Sequence, residues 1–323
     1  MLAARYETPG PAEEVLRVEE TERPEPGPGE VRVRLRVSGV NPTDWKARSG
    51  GRVSGAFQIP NQDGAGEIDA VGPGVDEGRV GQRVWVYFAA RGRPWGTAAQ
   101  WTVLPAHQAV PLPEGVSDDL GASLGIPALT AHRCLLADGP IEDRTVLVAG
   151  GAGAVGHSAI ELARWAGAKT VIATASSDEK AELSFQAGAH HVVNYRAENA
   201  AEGIRAAASD GIDRVVEVAL AANLELDLDV CAPHAVISTY ADDGRRPSLP
   251  VRRLMDPNHV LRFVLVYTIP AEALQAAVAD VRRAVAEGAL TTLPLHRFPL
   301  DQAAAAHDAV EAGAVGKVLV DIP

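Results

Sequence analysis

The sequence predicts an α/β fold in which a doubly wound parallel sheet is joined to a smaller β-rich domain. Two observations lead to this prediction. A short apolar run, a glycine-rich turn and a helical pattern follow one another in residues 144–166 (RTVLVAGGAGAVGHSAIELARWA). From this stretch onward six strand-like runs mostly alternate with helical or loop segments, whereas the N-terminal part contains short strands separated by glycine and proline turns.

The glycine turn predicts a dinucleotide site. Gly151, Gly153 and Gly156 have the spacing G-x-G-x-x-G between a strand-like run at 145–149 and an apolar helical face. Without Cβ atoms, such a turn brings backbone N–H groups close to a pyrophosphate, and the helix N-terminus adds partial positive charge. A plain packing turn is the alternative. The loop residues expected to bind the pyrophosphate are Gly151, Ala152, Gly153, Ala154, Val155 and Gly156.

Length and composition limit the class of protein. The 323 residues suffice for two domains, and a hydrophobic fraction of 46% is normal for a protein with a sizeable core. The net charge of −12, with both signs interspersed, disfavours nucleic acid and anionic membranes as partners. The two cysteines, Cys134 and Cys231, cannot form a disulfide framework, and no apolar run approaches a membrane span. We expect a cytoplasmic enzyme.

The N-terminal part is predicted to be β-rich. Residues 30–40 alternate apolar side chains with arginine, as a half-buried strand does, and shorter strands follow near 66–71, 83–88 and 99–104. Asn41 and Asp44 come directly after the first of these strands. Asn-Pro is a good helix start, so capping is enough to explain the local sequence; a functional role at the end of the strand is equally compatible.

The central segment provides the alternation of strands and helices. After the glycine turn, strand-like runs lie at 170–175, 191–194, 213–219, 235–240 and 262–267, and a long amphipathic helix follows. The last run, RFVLVY, is expected at a sheet edge, where unpaired backbone groups and apolar side chains need a cover. Pairing with the same strand of a second subunit predicts a homodimer; a covering loop is the alternative.

The end of the second strand of this sheet favours NADPH over NADH. An acidic residue there would hydrogen-bond the adenosine ribose and reject a 2′-phosphate. This chain has small and hydroxyl-bearing residues at that place, followed by a lysine, and a tyrosine follows the third strand. We therefore expect Ser176, Lys180 and Tyr195 to bind the 2′-phosphate. Asp178 and Glu179 are explained by their place at the next helix start.

Together these segments resemble the medium-chain dehydrogenase/reductase superfamily, specifically its zinc-free NADPH:quinone oxidoreductase branch. The resemblance covers almost the whole chain and rests on GEVRVRLRVSGVNPTDWKARSG, DGAGEIDAVGPGV, GASLGIPALTAHRCL, VLVAGGAGAVGHSAIELARWAGA, HHVVNYR and the terminal GKVLV. It implies a GroES-like catalytic domain at 1–123, a Rossmann-like NADPH-binding domain at 124–265, and a return to the catalytic domain at 266–323. A cleft between the domains is the expected ligand site.

The resemblance also implies site residues and the absence of a catalytic metal. Zinc-dependent members place a cysteine and a His-Glu pair at the cleft, where this chain has Thr43-Asp44 and Gln62-Asp63, so soft zinc ligands are missing. The residues implied to line the nicotinamide and substrate cleft are Asn41, Asp44 and Thr130. Those implied to flank the nicotinamide are Phe263, Val264, Leu265 and Lys317.

The expected reaction is hydride transfer from NADPH to a quinone or another electron-poor conjugated carbonyl compound. A quinone needs little acid from the protein, because solvent can protonate the hydroquinone anion, while Asn41 or Thr130 would polarise the carbonyl oxygen. The alternative is an enoyl or alkenal reductase, which needs a proton donor such as Tyr87 or Tyr267. A non-enzymatic alternative is an NADPH-binding protein with slow turnover. Only turnover with quinones and enones separates these hypotheses.

Overall fold

The computed structural model describes residues 1–51 and 53–323, which form two units. The strands are β1 (Leu2–Arg5), β2 (Arg17–Glu20), β3 (Glu30–Val40), β4 (Asp63–Val71), β5 (Arg83–Val86), β6 (Trp101–Pro105), β7 (Ala109–Pro111), β8 (Thr145–Val148), β9 (Thr170–Ala175), β10 (His191–Asn194), β11 (Ile212–Glu217), β12 (Cys231–Thr239), β13 (Val260–Phe263), β14 (Leu295–Pro299) and β15 (Lys317–Asp321). The helices are α1 (Ala12–Val15), α2 (Pro42–Gly50), α3 (Asp118–Leu136), α4 (Ala154–Trp165), α5 (Asp178–Gln186), α6 (Ala200–Ala207), α7 (Leu220–Val230), α8 (Val251–Met255), α9 (Ala271–Ala286) and α10 (Ala303–Glu311). Within the described ranges, no helix is long and apolar enough to cross a membrane.

The first unit comprises Met1–Ile126 and Pro294–Pro323 and is built on a seven-stranded sheet. The strand order is β14-β15-β3-β4-β5-β7, and β6 also pairs with β3. The length of β3 makes this possible, because its first half pairs with β6 and its second half with β15, while β4 runs along its other side. Its alternating apolar side chains are buried, which confirms the predicted β-rich, GroES-like domain.

The second unit, Pro127–Leu293, contains a six-stranded parallel sheet. The order β10-β9-β8-β11-β12-β13 is the arrangement of a Rossmann fold, so the predicted doubly wound sheet is confirmed. Leu147, Ile172, Val215 and Ile237, from its central strands, are buried in one core cluster. Since the carboxyl ends of parallel strands share one edge of the sheet, the loops after β8, β9, β11 and β12 emerge together.

The two units divide the chain differently from the predicted domains. The first division falls inside α3, after Ile126, rather than at residue 123, and the second at 293 rather than 265. Residues 266–293 belong to the second unit because α9 buries its apolar side there, and because Asp280 accepts a 2.9 Å hydrogen bond from His132. The periodicity of α9 predicts an amphipathic helix, but not the unit against which the helix packs.

The sixth strand begins and ends earlier than the run at 262–267 predicts. β13 spans Val260–Phe263, and the Val264 N–H then bonds to the Thr239 carbonyl at 2.8 Å before a short 3-10 turn at Val266–Thr268. The strand is nevertheless at the edge of the sheet, as expected. Val260 is 40% exposed and Phe263 is 71% exposed, so this edge presents apolar surface.

Candidate functional site

The glycine turn follows β8 and leads directly into α4. Gly153 is the N-cap residue of that helix, with φ −79°, and no side chain caps the first turn. A Cβ on Gly156 would lie 2.3 Å from the Gly150 carbonyl oxygen, and one on Gly151 would lie 2.8 Å from the Ala173 Cβ. At Gly153 a Cβ would meet only the Gly150 oxygen, at 3.4 Å. Gly151 and Gly156 therefore allow close packing, whereas Gly153 borders open space beside uncapped helix N–H groups, which suits a pyrophosphate.

The predicted 2′-phosphate residues lie around the ends of β9 and β10. Ser176 follows β9 and is half-buried, while the Tyr195 N–H bonds to the Ala175 carbonyl at 3.2 Å and so lies beside that strand end. Lys180 is in the first turn of α5, where its N–H donates to the hydroxyl of Ser177, the N-cap residue. Ser177 thus has a capping role.

A cation that sequence reasoning missed lies beside this region. The Arg196 guanidinium is 5.8 Å from the centre of the Tyr195 ring, at the end of β10. Its only sequence signal is its position directly after the tyrosine. Arg196 adds positive charge to the part of the sheet edge where a 2′-phosphate is expected.

A cavity of about 470 Å³ opens where β11, β12 and β13 end. Phe263, Val264 and Leu265 line it, as do Thr239 and Tyr240 from the end of β12 and Ala219 after β11. In the part of the chain that the structure describes, the buried Thr239 hydroxyl has no hydrogen-bond partner. The mixture of apolar and aromatic surface with a few polar groups is typical of a site for a planar ring, such as a nicotinamide.

The first unit holds a buried polar cluster in which Asn41 joins a lysine to an aspartate. The Lys317 ammonium donates to the Asn41 Oδ1 at 2.8 Å and to the Val40 carbonyl at 3.1 Å. The Asn41 Nδ2 donates to the Asp63 carboxylate at 2.7 Å, and the Ile126 N–H reaches the same carboxylate at 2.9 Å. The orientation of the Asn41 amide is therefore set by charges of opposite sign on its two ends.

Asp44 belongs to the same cluster. Its carboxylate accepts a 2.7 Å hydrogen bond from the Asn41 N–H, at the start of α2. Burial, together with the charge of Asp63, raises the pKa of Asp44 to about 8. Burial raises the pKa of Asp63 to about 6, with Lys317 opposing the rise, and burial lowers the pKa of Lys317. Of the two carboxyl groups, Asp44 has the more strongly raised pKa.

The structure thus brings together three of the predicted site residues, Asn41, Asp44 and Lys317. Thr130 lies in α3 within the second unit, as do the glycine loop and the residues 263–265. Lys317 is buried and donates to oxygen atoms of its own unit. Asp63 was missed, although its place beside Gln62, where zinc-dependent relatives carry His-Glu, was a usable signal.

Two family models match the chain. Residues 27–114 match the alcohol dehydrogenase GroES-like domain, and residues 154–283 match the zinc-binding dehydrogenase model. A quinone oxidoreductase of Rattus norvegicus is 30% identical, with 98% of this chain and 95% of that protein covered. A 2-haloacrylate reductase of Burkholderia sp is 32% identical, with 90% and 89% covered. The chain belongs to the quinone oxidoreductase branch of the medium-chain dehydrogenases/reductases.

Solved structures of this superfamily share the whole fold. A mycobacterial protein complexed with NADPH is 29% identical, with a TM-score of 0.85 and coverage of 99% of this chain and 100% of that one. An NAD-dependent alcohol dehydrogenase is 27% identical, with a TM-score of 0.90 and full coverage of both chains. An NADPH complex and an NAD-dependent enzyme therefore both occur among the structural relatives.

The match to a zinc-binding family model is not by itself evidence of a zinc site in this chain. Across residues 1–51 and 53–323, no three His, Cys, Asp or Glu side chains are grouped as a metal site requires. In the cluster that contains Asp44 and Asp63, the nearby cation is the Lys317 ammonium. Metal-independent activity stays a prediction of the sequence.

Proposed function

We propose that this member of the quinone oxidoreductase branch uses NADPH to reduce a quinone or another electron-poor conjugated carbonyl compound, without a metal. The observation that best supports this proposal is the open turn at Gly153 beside the uncapped N-terminus of α4. A side chain at Gly153 would occupy the space that a pyrophosphate requires, so this residue fits a dinucleotide. Family membership and the NADPH complex of a structural relative favour the same cofactor.

The residues suited to hold the cofactor are distributed along one edge of the second unit's sheet. The first turn of α4 would bind the pyrophosphate, while Ser176, Lys180 and Tyr195 would bind the 2′-phosphate. The cavity lined by Phe263 and Leu265 would hold the nicotinamide ring. When bound, NADPH supplies the hydride. The apolar cavity walls would orient the ring and exclude water from its reactive face.

Asn41, Asp44 and Thr130 are proposed as the substrate-facing residues. Of the two Asn41 Nδ2 hydrogens, one is directed to Asp63, which leaves the other to donate to a carbonyl oxygen. Because Lys317 and Asp63 bind the two ends of the amide, this donor is pre-oriented. Lys317, which is proposed to flank the nicotinamide, also acts as a positioning residue for Asn41.

The proposed function is tested by an activity screen with quinones and enones, in which NADPH oxidation is followed. We expect turnover of quinones, unchanged after exhaustive chelation and dialysis. Stoichiometric zinc in the purified protein, with activity lost on its removal, would contradict the metal-free reaction. Tight NADPH binding without turnover of either substrate class would favour the non-enzymatic alternative.

Carbon–carbon double-bond reduction is the second candidate, because the Burkholderia relative is a 2-haloacrylate reductase. This reaction needs an acid beside the α carbon of the substrate. Burial raises the pKa of Tyr87 to about 12, which makes it a weak acid, and its hydroxyl donates to the His107 carbonyl at 3.4 Å. Tyr267 lies in the 3-10 turn after the cavity-lining residues. Faster turnover of enones than of quinones would favour this candidate.

Lys180→Ala should weaken NADPH binding by at least about tenfold and leave NADH binding unchanged. The reason is the loss of a charged contact to the 2′-phosphate, worth roughly 1.5–3 kcal/mol. Fluorescence titration with both cofactors measures the effect. Lys169→Ala is the matched control, because this exposed lysine precedes β9 rather than following it. Equal affinity of the wild-type protein for NADPH and NADH would contradict the assignment.

A homodimer with a sheet continuous across two subunits is proposed from the edge strand β13. Because Val264 donates its N–H inward to Thr239, alternation directs the Phe263 N–H toward the open edge. Phe263→Pro should therefore give monomers, whereas Phe263→Ala, which keeps the N–H, should remain dimeric. Sedimentation at micromolar concentration distinguishes the two. A monomeric wild-type protein would rule out the dimer.

A cytoplasmic location is also proposed. Cys134 and Cys231 are both free, as is usual for a protein of a reducing compartment.

A further inference from the structure

A pair of buried acidic side chains lies beside the cavity of the second unit. Glu217 is the last residue of β11 and is fully buried, and Asp227, in α7, is 1% exposed. Their side chains hydrogen-bond to each other. Within the described ranges, no donor outside the pair lies within hydrogen-bond distance of the Glu217 Oε2 or the Asp227 Oδ2. Two carboxyl groups so placed cannot both be ionised at low cost, which implies a shared proton.

The hydrogen bonds show which carboxyl group carries the proton. The Glu217 Oε1 accepts from the Asn223 Nδ2 at 3.0 Å and from the Ala219 N–H. Burial raises the pKa of Glu217, and the two donors on this oxygen oppose that rise because they stabilise the anionic form. Burial raises the pKa of Asp227 well above its usual range, and the charge of Glu217 raises it further. Asp227 is therefore the group that donates to Glu217.

The other titratable groups that face the pair are neutral. Tyr240, at the end of β12, feels the charge of Glu217, and burial raises its pKa above the usual range. Burial raises the pKa of Cys231, at the start of β12, above its usual range. Cys134 of α3, which neighbours Tyr240, has its pKa raised by burial to about 12. None of the principal influences on the pair is a cation.

We infer that Asp227 holds a proton that it donates to the Glu217 carboxylate, and that this pair positions the Ala219–Asn223 turn at the cofactor cavity. Glu217 binds both ends of that turn, through the N–H of Ala219 and the side-chain amide of Asn223. Ala219 and Leu220 are part of the cavity wall. The role of the Glu217–Asp227 pair in cofactor binding rests on the proposed function, in which this cavity holds the nicotinamide. Glu217 and Asp227 are positioning residues and need not touch the cofactor.

The proton makes the turn sensitive to alkaline pH. While Asp227 is protonated, the pair carries one negative charge and the turn is held. When the proton leaves, two buried negative charges face each other, and the turn that Glu217 holds is loosened. The pKa of Asp227 is raised in the folded protein, so its stabilising effect is present at low pH and is lost as pH rises through that raised value. NADPH affinity should therefore decrease as pH rises through the same value.

Asp227→Asn provides the decisive variant, because its amide can donate to Glu217 but cannot lose a proton. Asp229→Asn is the matched control, since Asp229 lies on the same helix but is exposed. NADPH affinity is measured by fluorescence titration from neutral to alkaline pH. The infrared carbonyl stretch of a protonated carboxyl group is recorded for each protein without cofactor. Asp227→Leu tests the loss of the donor itself, with thermal unfolding recorded in parallel.

We expect the infrared band assigned to Asp227 to be present in wild type and Asp229→Asn and to be lost in Asp227→Asn. Wild type and Asp229→Asn should lose about tenfold in NADPH affinity at alkaline pH, whereas Asp227→Asn should keep its neutral-pH affinity throughout. Asp227→Leu should bind NADPH more weakly at neutral pH. An unchanged infrared band in Asp227→Asn, or superimposed pH profiles for Asp227→Asn and wild type, would overturn the inference. If no variant binds NADPH, the proposed function fails, and the infrared comparison still decides the protonation of the pair.

Discussion

Lys317→Met should lower the free energy of unfolding by about 3–5 kcal/mol at neutral pH, because it leaves Asp63 buried without its cation. Lys317 is 3% exposed, and its charge is what opposes the upward shift in the pKa of Asp63. The variant also removes the hydrogen bonds that Lys317 donates to the Val40 carbonyl and to the Asn41 Oδ1. Denaturant unfolding at several pH values measures the loss.

The pH dependence of this loss has a definite sign. Folding raises the pKa of Asp63 to about 6 and that of Asp44 to about 8, so both groups favour the folded state at low pH. That advantage is lost as pH rises through these two values. In Lys317→Met the deficit should therefore be small in acid and grow toward pH 8.

A second substitution checks that the charge is the cause. Asp63→Asn in the Lys317→Met background should recover much of the stability, because the asparagine carries no buried charge. Lys169→Met, at an exposed site, is the control and should change stability little. Equal stability of Lys317→Met and wild type at neutral pH would show that Lys317 does not stabilise the buried charge of Asp63.

Gly153→Val should reduce NADPH binding by about 100-fold, roughly 2.7 kcal/mol, with little change in melting temperature. The backbone at Gly153 has φ −79°, which valine adopts without strain, and a Cβ there meets only the Gly150 oxygen at 3.4 Å. The added methyl groups instead occupy the space in front of the α4 N-terminus, where the pyrophosphate is expected.

Gly156→Ala is the matched variant for this experiment. It should lower the stability of the fold, whereas Gly153→Val should lower NADPH affinity. Its Cβ would lie 2.3 Å from the Gly150 carbonyl oxygen, so the turn must shift, at a cost of about 1–3 kcal/mol in stability. Thermal unfolding and NADPH titration are measured for both variants. If Gly153→Val keeps its melting temperature and binds NADPH normally, the turn does not hold the pyrophosphate.

The sequence by itself determined the local elements and their class. The spacing of Gly151, Gly153 and Gly156 after an apolar run specifies a strand, a tight turn and a helix, because each feature depends on residues a few positions apart. The repeated alternation of strands and helices in turn favours parallel pairing. Each helix brings the chain back to the end of the sheet at which the preceding strand began, so the next strand runs in the same direction. The Rossmann-like sheet was predictable for these reasons.

Only the tertiary structure decided which distant side chains meet. Lys317 reaches Asn41 because β15 pairs antiparallel with β3, placing Val318 opposite Val40, and no local periodicity encodes that pairing. The association of Asp63 with Asn41 and of Glu217 with Asp227 likewise depends on packing between separate elements. The end of β13 was likewise decided by the fold, since the chain turns into the 3-10 segment at Val266–Thr268 soon after Phe263. Burial then shifts the protonation of these carboxyl groups, because the cost of a charge depends on its surroundings in the folded protein rather than on its neighbours in the chain.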